Sequence, residues 1–241
     1  MKILCIIPAR YKSTRFPGKP LADIHGKPMI WWTFQKAIQV KEFFEVIVAT
    51  DDNRIVETCS KLGIPTILTS EEHENHVLRI AEVATVKDAD YYVCVNGDEP
   101  LILPDNIRKI IPRQKSNGCY AGYLMRELTD PVETMDPANI KLTTLGNGTV
   151  IYMSRSVIPY PKGTLDFKYK KLIGVECFNK EALEFYSKTP MGEHEKIEDI
   201  DHLRFIENNK KVLVTMVDGE SLSVDTPKDL EKVRSILTNE V

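Results

Sequence analysis

The chain opens with KILCIIPARYKSTRFPGKP at residues 2–20. Lys2–Ile7 is a continuous apolar run, the pattern of a strand buried on both faces of a sheet. Ile7–Pro20 departs from it at once. Arg10, Lys12, Arg15 and Lys19 put four cations within ten residues, interleaved with Ser13, Thr14 and Gly18. The carboxyl end of a parallel strand is where open α/β sheets bind ligands. A triphosphate there needs cations near its outer phosphates and backbone N–H donors close to its oxygens. Gly18 permits that close approach. The stretch is neither GxxxxGK[ST] nor GxGxxG, so it is a phosphate loop of another kind or a solvated basic loop.

Outward from this loop, strand and helix periods alternate. Helical spacing covers Met29–Val40, Arg54–Leu62 (stopped by Gly63), Leu78–Val86 and Pro104–Ile111. Apolar strand runs cover Glu45–Ala49, Thr66–Leu68 and Tyr91–Val95, the last followed by the turn Asn96-Gly97-Asp98. Buried strands separated by helices predict an α/β fold with a mostly parallel sheet covered on both faces. Further on, Asn139–Tyr152 reads as a hairpin around Gly146-Asn147-Gly148, Lys171–Phe178 as a strand, and Lys180–Ser187 as a helix. Glu198–Glu207 reads as one amphipathic helix and Lys211–Val217 as a strand. A final helix starts at Pro227 with Thr226 as its N-cap. The expected architecture is a single domain over residues 1–241, with a β-rich insertion near 125–170 of the sort that serves dimerisation.

Two carboxylates complement the basic loop. Asp98 follows a central strand, so it belongs at the same sheet edge. Asp225 precedes the last helix. Mg²⁺ takes one or two carboxylates together with phosphate oxygens and water. Alone, Asp98 reads equally as a turn residue and Asp225 as a charge favoured by the helix dipole.

Composition narrows the classes. The chain has 241 residues, 42% hydrophobic and 28% charged, which excludes disordered, collagenous and coiled-coil proteins. Its net charge is −3, opposite in sign to a general nucleic-acid binder. No apolar run approaches the roughly 18 residues of a membrane span, and the opening run is too short for a signal peptide. Cys5, Cys59, Cys94, Cys119 and Cys177 are scattered, with no CxxC pair, which predicts reduced thiols in a cytoplasmic protein. His73 and His76 have no Cys or third His beside them in sequence, so a metal site there is not expected.

The segments IIPARYKSTRFPGKPLADIHGKPMI (6–30), VATDDNRI (48–55), GDEPLI (97–102), SRSVIPYP (154–161) and VDTPKDLEKVR (224–234) occur in this order across nearly the whole chain. Together they resemble the CMP-Kdo synthetases (3-deoxy-manno-octulosonate cytidylyltransferases). The resemblance implies a Rossmann-like, three-layer nucleotidyltransferase fold and a homodimer. It also implies Mg²⁺-dependent transfer of CMP from CTP to a 2-keto-3-deoxy sugar acid, with release of pyrophosphate, for surface polysaccharide. By the same resemblance Arg10, Lys19, Asp98 and Asp225 are catalytic, with Asp98 and Asp225 holding the metal. Ala9, Arg10, Ser13, Arg15, Gly18, Lys19 and His73 bind the nucleotide. Arg79, Asn96, Glu176, Glu198 and His202 bind the acceptor.

The likeness thins at the acceptor segments. The family's His-x-Ser-Gly-Thr-x-Arg is His73-Glu74-Asn75-His76-Val77-Leu78-Arg79 here, and its Gln before Gly-Asp-Glu-Pro is Asn96. Its Lys-His-x-Gly-x-Tyr becomes Lys171-Leu172-Ile173-Gly174-Val175-Glu176. Its Glu-x-Leu-Glu-Gln-Leu-Arg becomes Glu198-Asp199-Ile200-Asp201-His202-Leu203-Arg204. The expectation is retained chemistry at the phosphates and altered acceptor recognition. Glu176, if it faces the pocket, favours an amino substituent or rejects a second carboxylate, while Arg79 remains able to meet a carboxylate. A nucleotidyltransferase with a different acceptor or base, and a weakly catalytic nucleotide-binding regulator, are the competing readings.

Overall fold

The computed structural model describes residues 1–13, 15–164, 166–219 and 222–238. Thr14 therefore lies outside the described residues. In chain order the elements are β1 (Ile3–Ala9), a 3-10 turn (Lys19–Leu21), β2 (Asp23–Ile24), β3 (Lys27–Pro28), α1 (Met29–Ala37), β4 (Glu45–Thr50), α2 (Asn53–Lys61), β5 (Thr66–Leu68), α3 (His76–Val86), β6 (Tyr91–Val95) and α4 (Pro104–Lys109). There follow β7 (Ala121–Glu127), α5 (Pro131–Met135), β8 (Lys141–Thr144), β9 (Val150–Ser154), β10 (Lys170–Asn179), α6 (Lys180–Lys188), α7 (Glu193–Glu198), α8 (Leu203–Glu207), β11 (Val212–Met216) and α9 (Pro227–Leu237).

The main sheet runs β11-β7-β10-β6-β1-β4-β5. β1 pairs in parallel with β4 and β6, β4 with β5, and β7 with β11. β10 alone in this row is antiparallel to both neighbours. The β8–β9 hairpin joins at β10. Period-two alternation divides the core. Ile3, Cys5 and Ile7 of β1 face one apolar cluster with α1, α2 and α4, while Leu4 and Ile6 face another with α3, α6 and α8. The sheet is therefore the middle of three layers, as expected.

Two differences from the sequence reading matter. β7 went unread because Gly122, Arg126 and Glu127 break its apolar pattern; β10 and β11 on its two edges hold it as a strand. The single helix expected over Glu198–Glu207 is two. α7 ends at Asp199, which takes a left-handed backbone (φ 53°), and α8 starts at Leu203. The break leaves Asp201 and His202 on a bend between helices, where they line the crevice described next.

A third apolar cluster positions Asp225. Ile24 and Met29 pack with Val224, Leu230, Val233 and Leu237, so α9 docks on the segment just after the basic loop. The N–H of Val224 donates to the carbonyl of Asp98 at 2.9 Å. Residues more than a hundred positions apart in sequence are thereby fixed side by side.

Candidate active site

A crevice of about 980 Å³ lies at the carboxyl edge of β1 and β6. The basic loop forms one wall. It closes on itself through the Gly18 N–H, which donates to the Tyr11 carbonyl at 2.9 Å. Gly18 sits at φ 73°, and a Cβ there would lie 3.1 Å from the Tyr11 ring, so both conformation and space require glycine. The Arg54 guanidinium covers the Tyr11 ring at 3.3 Å, a cation–π contact that steadies the loop from α2.

The cations and carboxylates meet at the mouth of this loop. Lys19 Nζ is 2.6 Å from Asp98 Oδ2 and 3.4 Å from Asp225 Oδ1. Arg15 reaches the same Asp225 oxygen at 2.9 Å. Arg10 is exposed on the crevice wall and makes no ion pair among the described residues. Ala9 ends β1 beneath it, and the Ser13 hydroxyl accepts from the Phe16 N–H at 3.4 Å. Asp98 is held on a turn that leaves no slack: a Cβ on Gly97 would stand 3.0 Å from the Pro8 carbonyl. Asp225 is set by the capping box of α9, in which the Asp229 N–H donates to Thr226 Oγ1 and the Thr226 N–H to Asp229 Oδ2. Glu99 turns inward, accepting from the Ser223 hydroxyl and the Gly174 N–H, which ties the turn to β10. Asp98 and Asp225 already share one cation, the Lys19 ammonium. Their donor set is oxygen only and part-exposed, which suits a hard dication such as Mg²⁺.

The far end of the crevice is different in kind. Glu176 is buried to 2% exposure, and both its oxygens lie 2.9 Å from His76 Nε2. His202 Nε2 is 3.4 Å from Glu176 Oε1. Asp201 closes the group, 3.2 Å from His76 Nδ1 and 3.0 Å from His202 Nδ1. Burial works against charge on His76, but Glu176 and Asp201 outweigh it and push the imidazole up to about 9. His202 is raised against burial by the same two carboxylates. Burial works against charge on Asp201 as well, but the two rings hold its carboxyl well below the usual range. Burial, then Glu176, pushes the neighbouring Cys94 thiol well up.

The residues assigned to the acceptor separate accordingly. Asn96, Glu176 and His202 line the crevice. Arg79 also lines it, but its guanidinium is 4% exposed, bonded to Asp51 at 2.7 Å and to the Thr69 hydroxyl, so its charge is met from within. Glu198 is not brought to the crevice: its carboxylate accepts from the Ser154 hydroxyl at 2.6 Å and the Arg155 N–H at 2.9 Å, anchoring the end of β9. His73 lines the wall, paired with Glu82 of α3. The bare anion expected at Glu176 is instead an anion matched by two imidazoles, which removes the basis for its selecting an ammonium. Asp201 was given no role in the sequence reading, which took Cys94 as a reduced thiol and expected no metal at His76. The signal for the two polar ones was available, since both fall inside the segments that depart from the family pattern.

A family model described as Cytidylyltransferase matches residues 4–212. The 3-deoxy-manno-octulosonate cytidylyltransferase of Escherichia coli is 34% identical over 240 residues, covering 100% of this chain and 98% of its own. The 8-amino-3,8-dideoxy-manno-octulosonate cytidylyltransferase of Shewanella woodyi is 35% identical, covering 95% and 96%. A solved structure of a CMP:2-keto-3-deoxy-manno-octonic acid synthetase complexed with CTP matches at TM-score 0.93 and 34% identity over 100% of both chains.

Proposed function

The chain belongs to the cytidylyltransferase family, and on that premise we propose that it transfers CMP from CTP to the anomeric hydroxyl of a 2-keto-3-deoxy sugar acid, Kdo or a Kdo-like ulosonate, releasing pyrophosphate. The product is an activated sugar acid for surface polysaccharide. The observation that carries this reading is the meeting of the basic loop with Asp98 and Asp225 around a single cation.

The roles follow from charge. Arg10, with no carboxylate partner among the described residues, is the cation most available to a phosphate oxygen, and Lys19 and Arg15 stand beside it. As the bond to the α-phosphorus breaks, negative charge grows on the leaving pyrophosphate, and fixed cations at that spot stabilise it without reorganising. Asp98 and Asp225 would hold Mg²⁺, which would lower the pKa of the attacking hydroxyl and offset charge on the α-phosphate. Lys19, bonded to both carboxylates, stands where it can meet the phosphates. Gly18 and Ala9 keep the backbone close to the nucleotide, and Ser13 and His73 flank it. Asn96, Glu176 and His202 face the acceptor.

We read residues 1–241 as one domain working as a homodimer in the cytoplasm, the contact made by the segment near 125–170. Val132, Met135, Ile151 and Tyr160 there are apolar and more than half exposed, a face that a second copy would cover. Sedimentation of the protein as a monomer at micromolar concentration refutes that contact. Among the described residues no helix is long and apolar enough to cross a membrane.

Pyrophosphate release from CTP with Mg²⁺ and a panel of ulosonic acids tests the reaction. Turnover with at least one of them is expected, and none with any overturns the proposal. Lys19→Ala and Asp225→Ala each lose about 100-fold or more in kcat with unchanged circular dichroism. Near-normal turnover by either folded variant rejects the role given to that residue.

A further inference from the structure

His76, Glu176 and His202 are scattered in sequence. In the fold they occupy one spot. Cys94 of β6 and Glu176 of β10 are register partners across an antiparallel pair, so their side chains share a face of the sheet. His76, the first residue of α3, brings its ring onto that face. His76 nitrogen, Cys94 sulfur and a Glu176 oxygen all lie within 4.8 Å of one another. A tetrahedral ion with zinc-like bond lengths needs its donors roughly 3.3–3.7 Å apart. The 2.9 Å between His76 Nε2 and Glu176 is a hydrogen-bond length, which exchange of the shared proton for an ion opens by about half an ångström.

What surrounds these three donors points the same way. Asp201 addresses the Nδ1 atoms of His76 and His202, the ring positions away from Glu176. A carboxylate so placed fixes the orientation of metal-binding imidazoles in general. His202 Nδ1 lies near Asp201 without hydrogen-bond alignment, and the Tyr123 hydroxyl, whose ring packs at 4.1 Å on that of His202, has no partner among the described residues. The local polar network is thus incomplete as it stands. Charge balances in either form: one dication with a protonated His202 offsets Glu176, Asp201 and a Cys94 thiolate, as two protonated rings offset Glu176 and Asp201 beside a neutral thiol.

We propose that His76, Cys94 and Glu176 form a second cation site, for a transition-metal dication of the zinc class, separate from the Asp98–Asp225 pair. The donor set is nitrogen, sulfur and oxygen, which favours such ions over Mg²⁺. Three protein ligands leave a fourth position. His76 and Glu176 line the crevice whereas Cys94 lies behind them, so that position opens toward the acceptor end. Binding takes the proton from the Cys94 thiol, as metal coordination does for thiols generally.

The test is independent of turnover. The full-length protein, stripped with a chelator, is titrated with Co²⁺ under a large excess of Mg²⁺. One Co²⁺ per chain is expected, with the visible bands of tetrahedral cobalt and a thiolate-to-cobalt charge-transfer band, all lost on adding Zn²⁺. Cys94→Ser removes the charge-transfer band. His76→Ala weakens Co²⁺ binding about 100-fold or more, and Asp201→Asn about 10- to 100-fold. Should His76→Ala fail to fold by circular dichroism, His76→Gln and Cys94→Ser carry the test. Absence of Co²⁺ binding under excess Mg²⁺ overturns the site and leaves a closed group of ion pairs. Binding whose spectrum survives both Cys94→Ser and the folded His76 variant overturns it equally.

Discussion

The two ends of the crevice solve the problem of charge in opposite ways. At the end assigned above to the phosphates, Arg10, Arg15 and Lys19 face an open crevice. Arg10 is exposed, Arg15 is more than half exposed, and Asp98 and Asp225 are held together by a lysine that a dication can displace. At the acceptor end the charges are already matched and out of water, with Glu176 between two imidazoles and Asp201 behind both. The first end has poise; the second has structure. Changes at the first should therefore cost turnover and little stability, and changes at the second should cost stability first.

The largest effect on stability is expected beneath the acceptor end. Arg204 makes two bonds to Glu195, at 2.7 and 2.6 Å, and two more to the carbonyls of Tyr186 and Thr189, with both charged groups almost fully buried. The Tyr186 hydroxyl donates to Glu195 and accepts from Asn75, the N-cap of the helix that begins with His76. Arg204→Ala leaves a buried carboxylate alone and should cost about 3–5 kcal/mol, read as a fall in the denaturant midpoint. The double variant Arg204→Met with Glu195→Leu should recover most of it. A loss under 1 kcal/mol in the single variant would erase the contrast between the two ends.

How much of this was legible beforehand follows the same division. The phosphate end is written locally. A buried strand, a basic loop with Gly18, and Asp98 one turn beyond another strand are each visible within a dozen residues, and strand period and turn chemistry place them at one edge. Asp225 was brought in by the family resemblance, since its own surroundings read as a charge at a helix start. The acceptor end is written nonlocally. His76, Cys94, Glu176 and Asp201 meet because β10 runs antiparallel to β6 and because the backbone reverses at Asp199. Neither event has a signal strong enough to override the apolar periodicity that favoured one unbroken helix over Glu198–Glu207. Glu198 was assigned to the acceptor by resemblance, and its carboxylate instead accepts from the Ser154 hydroxyl and the Arg155 N–H. β7 stayed hidden because its neighbours, not its own sequence, make it a strand.

An intermediate effect concerns pH in chelator-treated protein. His76 has its folded pKa raised to about 9, from 6.5 when unperturbed. A group raised on folding binds its proton more tightly in the native state, so its contribution is complete below about 6.5 and is lost as pH rises through about 9. Asp201, shifted down, contributes above the unfolded carboxylate pKa near 3.9 and loses that as pH falls through its native value. The melting temperature should hold between pH 5 and 6.5 (about the window set by those two limits) and decline toward pH 10. His76→Gln should flatten the alkaline decline. An alkaline decline of equal size in His76→Gln would show that the imidazole's partners do not stabilise it.

The smallest effect belongs to the phosphate end and sharpens the contrast from the other side. Thr226 caps α9 and, with Asp229, forms the box that precedes the helix carrying Leu230, Val233 and Leu237 into the core. Thr226→Ala removes the bonds made by Thr226 Oγ1 and keeps the backbone N–H to Asp229, a loss worth about 1 kcal/mol at a part-exposed terminus, or roughly 2–4 °C in melting temperature for a chain of this size. The same box lies one residue from Asp225, whose own N–H points to Asp229 at 3.4 Å. Stability and catalysis are therefore read separately. If the cap only holds the helix, kcat stays within about twofold while the melting temperature drops. If it also aims the carboxylate, kcat falls about 10-fold or more at the same small stability cost, because misplacing a reacting group by an ångström is expensive. The second result would mean that poise at the phosphate end depends on the cap as well as on the lysine.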